Sequence, residues 1–234
     1  RCDGVDNDCN GEIDEIIFID ESALSDVTTG VQLNGSSFLD EFGNIVLTLN
    51  TPNTAGSVLY QDTVPGDTWA ATFEIYSGNP LQNSQGGDGM AFVFYDASKT
   101  DATFVGTSGG YLGADNPGVV GYAVEFDTYD NGTALGDPDG NHIAIVATDE
   151  RPLRTLAAAS SRDGVPLLDD SETIHRVQVV MREGTVEVSI NDVTLLTHTI
   201  AGYNLSSLRM GFTAGTGSIV NFHVVASAKV ECVP

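Results

Sequence analysis

The sequence predicts an all-β chain folded as an antiparallel β-sandwich. Three features carry that expectation. Short segments rich in Val, Ile, Thr, Phe and Tyr recur along almost the whole chain, and such side chains pack well on a pleated surface. Each segment is bounded by Gly, Pro, Asn or Asp, the residues that turn a chain. The only helix-like text is 152–161, which is short and uncapped.

The expected strands are, in order, 16–20, 31–33, 45–49, 57–61, 69–76, 89–95, 119–128, 142–148, 173–183, 185–190, 193–199, 208–214 and 219–228. The text EGTVEVSINDVTLLTH reads as consecutive hairpins, with Glu183-Gly184 and Asn191-Asp192 as the turns. Many short strands between regular turns are most simply buried as two packed sheets. No internal repeat is present. A chain of 234 residues is long enough to bury a sizeable core. One main domain is expected over 16–230, after an acidic segment at 1–15 and before a tail at 231–234 leading to a following segment.

The chain has 33 acidic and 9 basic residues, a formal charge of −24, and its only lysines are Lys99 and Lys229. That balance argues against nucleic acid and anionic membranes as partners, since both need a basic footprint. It suits cation binding and an extracellular surface. Many of these carboxylates need be no more than a solvated face. No apolar run reaches the roughly 18 residues of a membrane-spanning helix, so no membrane insertion is expected. No signal peptide is visible. The text begins inside a motif and reads as a mature fragment or a trimmed piece of a longer chain.

That motif is CDGVDNDCNGEIDE, at 2–15. Asp6, Asp8 and Asn10 put side-chain oxygens at alternate positions before Gly11, and Glu12 and Asp14 follow. Hard cations such as calcium take six to eight oxygens, and this spacing lets one loop wrap an ion. It is not an EF-hand, because Ile17 stands where a bidentate Glu is required. The alternative is an acidic linker held by a disulfide. The cysteines are Cys2, Cys9 and Cys232. A Cys2–Cys9 bridge across the acidic loop is favoured, and a bridge from Cys232 to either remains open.

The stretch VEFDTYDNGTALGDPDGNHIAI, at 124–145, carries the densest chemistry. On a strand, Glu125, Asp127 and Tyr129 share one face while Phe126 and Thr128 take the other. If the second strand pairs back as a hairpin, His142 returns opposite the Glu125/Asp127 end, and the loop closes over the same spot with Asn131 and Asp137. Converging carboxylates raise one another's pKa values, and a bound cation relieves that conflict. A Glu/Asp/Asp/His set suits a transition ion such as Mn2+; an Asp/Asn/Asp set with a backbone carbonyl suits Ca2+.

This segment resembles the metal loop of legume lectins and the wider L-type lectins, whose pattern is roughly V-E-F-D-T-[FY]-x-N followed by D-P-x-x-x-H-I-x-I. The resemblance covers nearly the whole main domain and implies a concanavalin A-like jelly roll that binds glycans and is not an enzyme. It implies that Glu125, Asp127, Asp137 and His142 hold the transition ion. It assigns calcium to Asp127, Asn131, Asp137 and the carbonyl of Tyr129. GGDGMAFVFYDA at 86–97 is similar to the family segment whose Asp accepts from sugar hydroxyls after a cis peptide, which maps to Asp88 and the Gly87–Asp88 bond. GGYLG at 109–113 is similar to the segment that donates a backbone N–H to sugar, which maps to Gly110. Asn131 would serve calcium with its oxygen and sugar with its amide, and Tyr129 would offer a ring face. LRMGFTAGTG at 208–217 resembles the last core strand and its specificity loop, with Ser218 and Ile219 in the loop. The N-terminal motif resembles a metal-binding repeat of bacterial cell-surface proteins, which implies a secreted or surface location. A homodimer is left open, because the family's interface lies on a sheet surface without a motif.

The chain departs from the family in three places. The gap from Asn131 to Asp137 is about one residue longer, VVASAKV replaces the usual Ser-Trp-Ser-Phe run, and near Pro152 the family's serine that often bonds a metal-bound water is replaced. Sandwich glycoside hydrolases use E-x-D-x-x-E on one strand; here Asp130 ends that spacing and alternation turns it away from Glu125. Trp69 is the only tryptophan, so no tryptophan-lined cleft is expected. A metal-stiffened adhesin or protein-binding module without a sugar pocket is the other reading. His175, His198 and His223 have no acidic constellation and read as structural.

Overall fold

The computed structural model describes residues 15–19, 30–79 and 86–231. The acidic motif with Asp6, Asp8, Asn10, Glu12 and Asp14, and the cysteines Cys2, Cys9 and Cys232, lie outside the described residues.

Among the described residues, sixteen strands form two antiparallel sheets. In chain order they are β1 (Glu15–Ile19), β2 (Val31–Gly35), β3 (Phe38–Leu39), β4 (Ile45–Thr48), β5 (Ala55–Tyr60), β6 (Val64–Pro65), β7 (Thr68–Gly78), β8 (Gly89–Asp96), β9 (Gly121–Asp127), β10 (His142–Ala147), β11 (Arg154–Ser160), β12 (His175–Arg182), β13 (Thr185–Ile190), β14 (Val193–Thr199), β15 (Ser207–Gly215) and β16 (Phe222–Glu231). The back sheet runs β14-β13-β12-β7-β16-β4-β3, with β1 also on β16. The front sheet runs β11-β10-β9-β8-β15-β5-β2, with β6 also on β15. The chain is therefore an all-β sandwich, as its sequence predicts.

Both foreseen hairpin turns form. Glu183 and Gly184 have φ of 48° and 83°, and Asn191 and Asp192 have 51° and 65°. Two successive positive φ values give the turn twist that matches the right-handed strands on either side.

The expectation at 152–161 is corrected. Residues Arg154–Ser160 form β11, an edge strand paired with β10 from His142↔Ser160 to Ala147↔Arg154. Leu and Ala are strong helix formers, but tertiary context readily overrides propensity; the open edge of β10 offers ladder hydrogen bonds and a surface that takes small side chains. The short strands β3 and β6 were not foreseen. They are two residues each, too short to carry a period.

The main core lies between the sheets. Phe73 stacks on Phe92 at 5.3 Å and meets Phe212 edge-on at 4.9 Å, while Trp69 meets Phe94 edge-on at 5.3 Å. Alternation sends Ala91, Val93 and Tyr95 to the opposite face of β8, where they form a second cluster with Leu59, Ala114, Ala123, Ala144, Val146 and Leu153. Ala102, Phe104 and Tyr111 pack over that cluster, and the Tyr95 hydroxyl donates to the Ala114 carbonyl at 2.8 Å. The central front strands are thus buried on both faces, which is why β8 reads as an almost unbroken apolar run. Glu125 and Asp127 sit on the same face as Ala123, beneath this cover.

Candidate functional site

Register brings the candidate residues to one end of the front sheet. Asp127 pairs with His142, Glu125 with Ala144, and Gly89 with both Asp127 and Gly215. The loops that leave β9 and β15, and the one that enters β8, therefore share a rim.

Asp127, Asp137 and His142 form the first cluster. One ligand atom from each lies within 4.8 Å of the other two. The His142 Nδ1 is 2.8 Å from the Asp139 carbonyl oxygen. A carbonyl only accepts, so Nδ1 carries the proton and donates. That leaves the Nε2 lone pair 3.9 Å from the Asp137 carboxylate, the arrangement of a histidine oriented by its outer partner for metal binding. The backbone N–H of Asn131 donates to Asp137 at 2.7 Å, and that of Tyr129 to Asp127 at 2.8 Å.

These carboxylates are buried against their preference. Burial, reinforced by the Asp137 charge, pushes Glu125 up to about 8. Burial first and the Glu125 charge second push Asp127 well above the usual carboxylate range. Burial raises Asp137 too, against hydrogen bonding from Asn131 and the nearby His142. Glu125 stands outside the tight set of three but repels both of its aspartates. Among the described residues no lysine or arginine forms an ion pair with this group, and a metal ion would neutralise it.

The second cluster is built around Asp88. The Gly87–Asp88 peptide is cis. Burial lifts the Asp88 carboxyl to about 6, opposed by hydrogen bonding from the Asn131 side chain and the Gly217 backbone. Its Oδ2 has no partner among the described residues, and neither has the buried Oδ1 of Asn131. Such orphans are costly and mark sites for a ligand or ion. Three glycines let the loops touch. A Cβ on Gly110 would lie 2.6 Å from Asn131 Oδ1, one on Gly217 2.9 Å from Asp88 Oδ2, and one on Gly87 3.1 Å from Tyr129 Cβ. Tyr129 therefore lies against the peptide that precedes Asp88.

The structure brings Asp88, Gly110, Tyr129, Asn131, Asp127, Asp137 and His142 together, with Glu125 beneath. Ser218 is exposed and Ile219 partly so; the residue of their loop that packs on Asp88 is Gly217. Sequence reasoning passed over Gly217, and also an anchor of the Gly110 loop. Asp115, 1% exposed, accepts from the Thr107 backbone and side chain at 2.6 and 3.0 Å and pairs with Arg151. The Arg151 guanidinium in turn stands 5.7 Å over the Tyr111 ring. No local spacing signals this contact between distant loops.

Comparison with known proteins bears on this arrangement. The family model described as the legume lectin domain matches residues 22–231. The Arabidopsis thaliana protein named "Probable L-type lectin-domain containing receptor kinase VII.2" is 26% identical over 230 residues, covering 86% of this chain and 33% of that relative. The chain thus spans about a third of the length of such curated relatives. Among solved structures, the basic winged bean lectin with Tn-antigen superposes with a TM-score of 0.70 at 21% identity, over 94% of this chain and 98% of that one. The exoplasmic/lumenal domain of VIP36 in its Ca2+/Man-bound form superposes with a TM-score of 0.68 at 17% identity, over 87% and 83%.

Proposed function

This chain belongs to the legume lectin domain family, and we propose that it is a calcium-dependent carbohydrate-binding module that meets sugar hydroxyls with Asp88, Asn131 and the Gly110 backbone. Its role is binding, not catalysis. One observation carries the reading: the unpartnered Asp88 Oδ2 and Asn131 Oδ1 lie beside the Asp127/Asp137/His142 cluster.

The donor set fits the ions. Asp127, Asn131, Asp137 and the Tyr129 carbonyl would hold Ca2+, a hard cation that takes oxygen ligands. Glu125, Asp127, Asp137 and the His142 Nε2 would hold a transition ion such as Mn2+. Bound metal would supply the positive charge that these buried carboxylates lack. The protein's own residues do the rest. The Asn131 and Tyr129 backbones cap Asp137 and Asp127, and the Asn131 amide reaches across to Asp88. A pocket ordered in advance loses less freedom on binding. Tyr129 offers its ring beside the pocket, and Ser218 and Ile219 form its outer rim. VIP36, solved in a Ca2+/Man-bound form, and winged bean lectin, solved with Tn-antigen, support the glycan reading.

A secreted or cell-surface location fits relatives named as receptor kinases and a lumenal domain. A bacterial surface protein, a calcium-loaded segment at 1–15, a domain over 16–230 within a longer chain, and pairing of two copies complete the proposal.

The test is a glycan array with and without calcium, beside Asp88→Ala. Binding that disappears with chelator and with the variant supports the reading. Silence of the calcium-loaded protein on every glycan overturns it in favour of a metal-stiffened protein-binding module.

A further inference from the structure

Behind Asp88 lies a buried polar relay that sequence patterns do not reveal. The Asp88 carbonyl accepts from both the backbone N–H and the Oγ1 of Thr128, each at 2.9 Å. Thr128 is 1% exposed. Its Oγ1 accepts in turn from the Asn221 side-chain amide at 3.3 Å. Asn221 is fully buried, and its backbone carbonyl lies 3.4 Å from Thr48 Oγ1 on β4, a hydroxyl whose shorter contact, 2.7 Å, is to His223 Nδ1.

Donor and acceptor chemistry gives the relay a direction. An amide NH2 only donates, so Thr128 Oγ1 must accept there. The single hydroxyl proton is then left for the Asp88 carbonyl. Asn221 therefore aims the Thr128 hydroxyl, and Thr128 fills both lone pairs of the Asp88 carbonyl. On the other side the Asp88 N–H donates to the Gly215 carbonyl at 3.2 Å. Gly86 permits the closeness, because a Cβ there would lie 1.7 Å from Asn221 Oδ1. The relay ties Asp88, at the head of a front strand, to the back sheet where Asn221 precedes β16.

We propose that Thr128 and Asn221 are positioning residues for glycan recognition, holding the Asp88 peptide so that its carboxylate meets sugar at a fixed place. Both side chains are buried and neither is among the proposed metal-binding groups, and Thr128 acts on the site through its two bonds to the Asp88 carbonyl. The inference rests on the lectin reading above.

The experiment compares wild type, Thr128→Val, Thr128→Ser and Asn221→Leu in saturating calcium. Glycan affinity is read on the array and on mannose- and N-acetylgalactosamine-agarose, and calcium affinity by calorimetry. Thr128→Val keeps the shape and deletes the hydroxyl. It is expected to weaken glycan binding about tenfold, the usual consequence of leaving a buried acceptor short of one bond, with calcium affinity unchanged. Thr128→Ser restores the hydroxyl and should restore binding. Asn221→Leu should weaken glycan binding several-fold and serves as the test if the valine variant does not fold. Wild-type affinity in both Thr128→Val and Asn221→Leu overturns the proposal, as does parallel loss of glycan and calcium affinity. A wild-type protein that binds no glycan overturns the lectin reading itself, an outcome distinct from variants that bind as well as wild type.

Discussion

His142 stands directly across the β9–β10 ladder from Asp127, with its protonated nitrogen spent on the Asp139 carbonyl. The free nitrogen is thereby turned toward two carboxylates. The two halves of the candidate metal group should be separable on this basis. His142→Ala removes a nitrogen donor that suits Mn2+ and leaves the oxygen set intact. Calorimetry should show Mn2+ binding lost and Ca2+ binding retained. Asp127→Asn strikes one of the two residues common to both sets, the other being Asp137, and should weaken both ions by more than about tenfold.

The buried carboxylates make the chelated protein sensitive to base. Glu125 has a folded value of about 8 against an ordinary 4.5, and Asp127 and Asp137 are raised as well. Between those limits the folded chain holds a proton that the unfolded chain has released, so stability falls as pH rises. In chelator, the urea midpoint read from Trp69 fluorescence should drop from pH 5 to pH 8. In calcium it should not. Calcium binding at pH 7 should release protons, measured by calorimetry in buffers of different ionisation enthalpy. Glu125→Gln should flatten the pH dependence in chelator.

An acid limb of opposite sign comes from His223. Full burial depresses it to about 3 from 6.5. The unfolded chain takes up a proton below about 6.5 that the folded chain refuses, so this contribution is complete above that pH and lost on descent towards 3. The slope approaches about 1.4 kcal/mol per pH unit. His175 is depressed in the same direction, chiefly by burial. His223→Gln should shallow the acid limb of stability, read from urea midpoints between pH 4 and 7, while leaving the pH 8 side unchanged.

Gly110 is where two loops of the pocket meet. An alanine there would press its Cβ to 2.6 Å from both Asn131 Oδ1 and Leu135 Cδ1, closer than such atoms tolerate. Gly110→Ala should displace the Asn131 loop, abolish glycan binding and weaken calcium. Both clashing atoms belong to the 131–135 loop and not to the two sheets, so the thermal midpoint in chelator should fall by only about 1–2 °C, consistent with a loss below ~1 kcal/mol. A variant that keeps wild-type glycan affinity would show that the loops do not cooperate there.

The sandwich was legible because its signals are local. Alternation told that Glu125 and Asp127 share one face and Phe126 the other, and dipeptides such as Asn191-Asp192 named their turns without reference to the rest of the chain. Glu125 and Asp127 were conspicuous because carboxylates stood where an apolar strand should continue, and His142 returned at the spacing a hairpin requires. Residues 152–161 misled for the same local reason. An Ala-rich run looks helical until the vacant edge of β10 is there to pair with it.

Sequence alone determined the sheet-forming segments, the turns and the set of metal-suited side chains, because each depends on neighbours along the chain. Tertiary structure decided which of these groups meet. The approach of Asp88 to Asn131, the packing of Gly217 on Asp88, the Asp115–Arg151 clasp and the Asn221–Thr128 relay all join loops far apart in the chain. Their contacts follow from strand register across two packed sheets. Register is set by the whole buried surface at once, and no short stretch of text contains it.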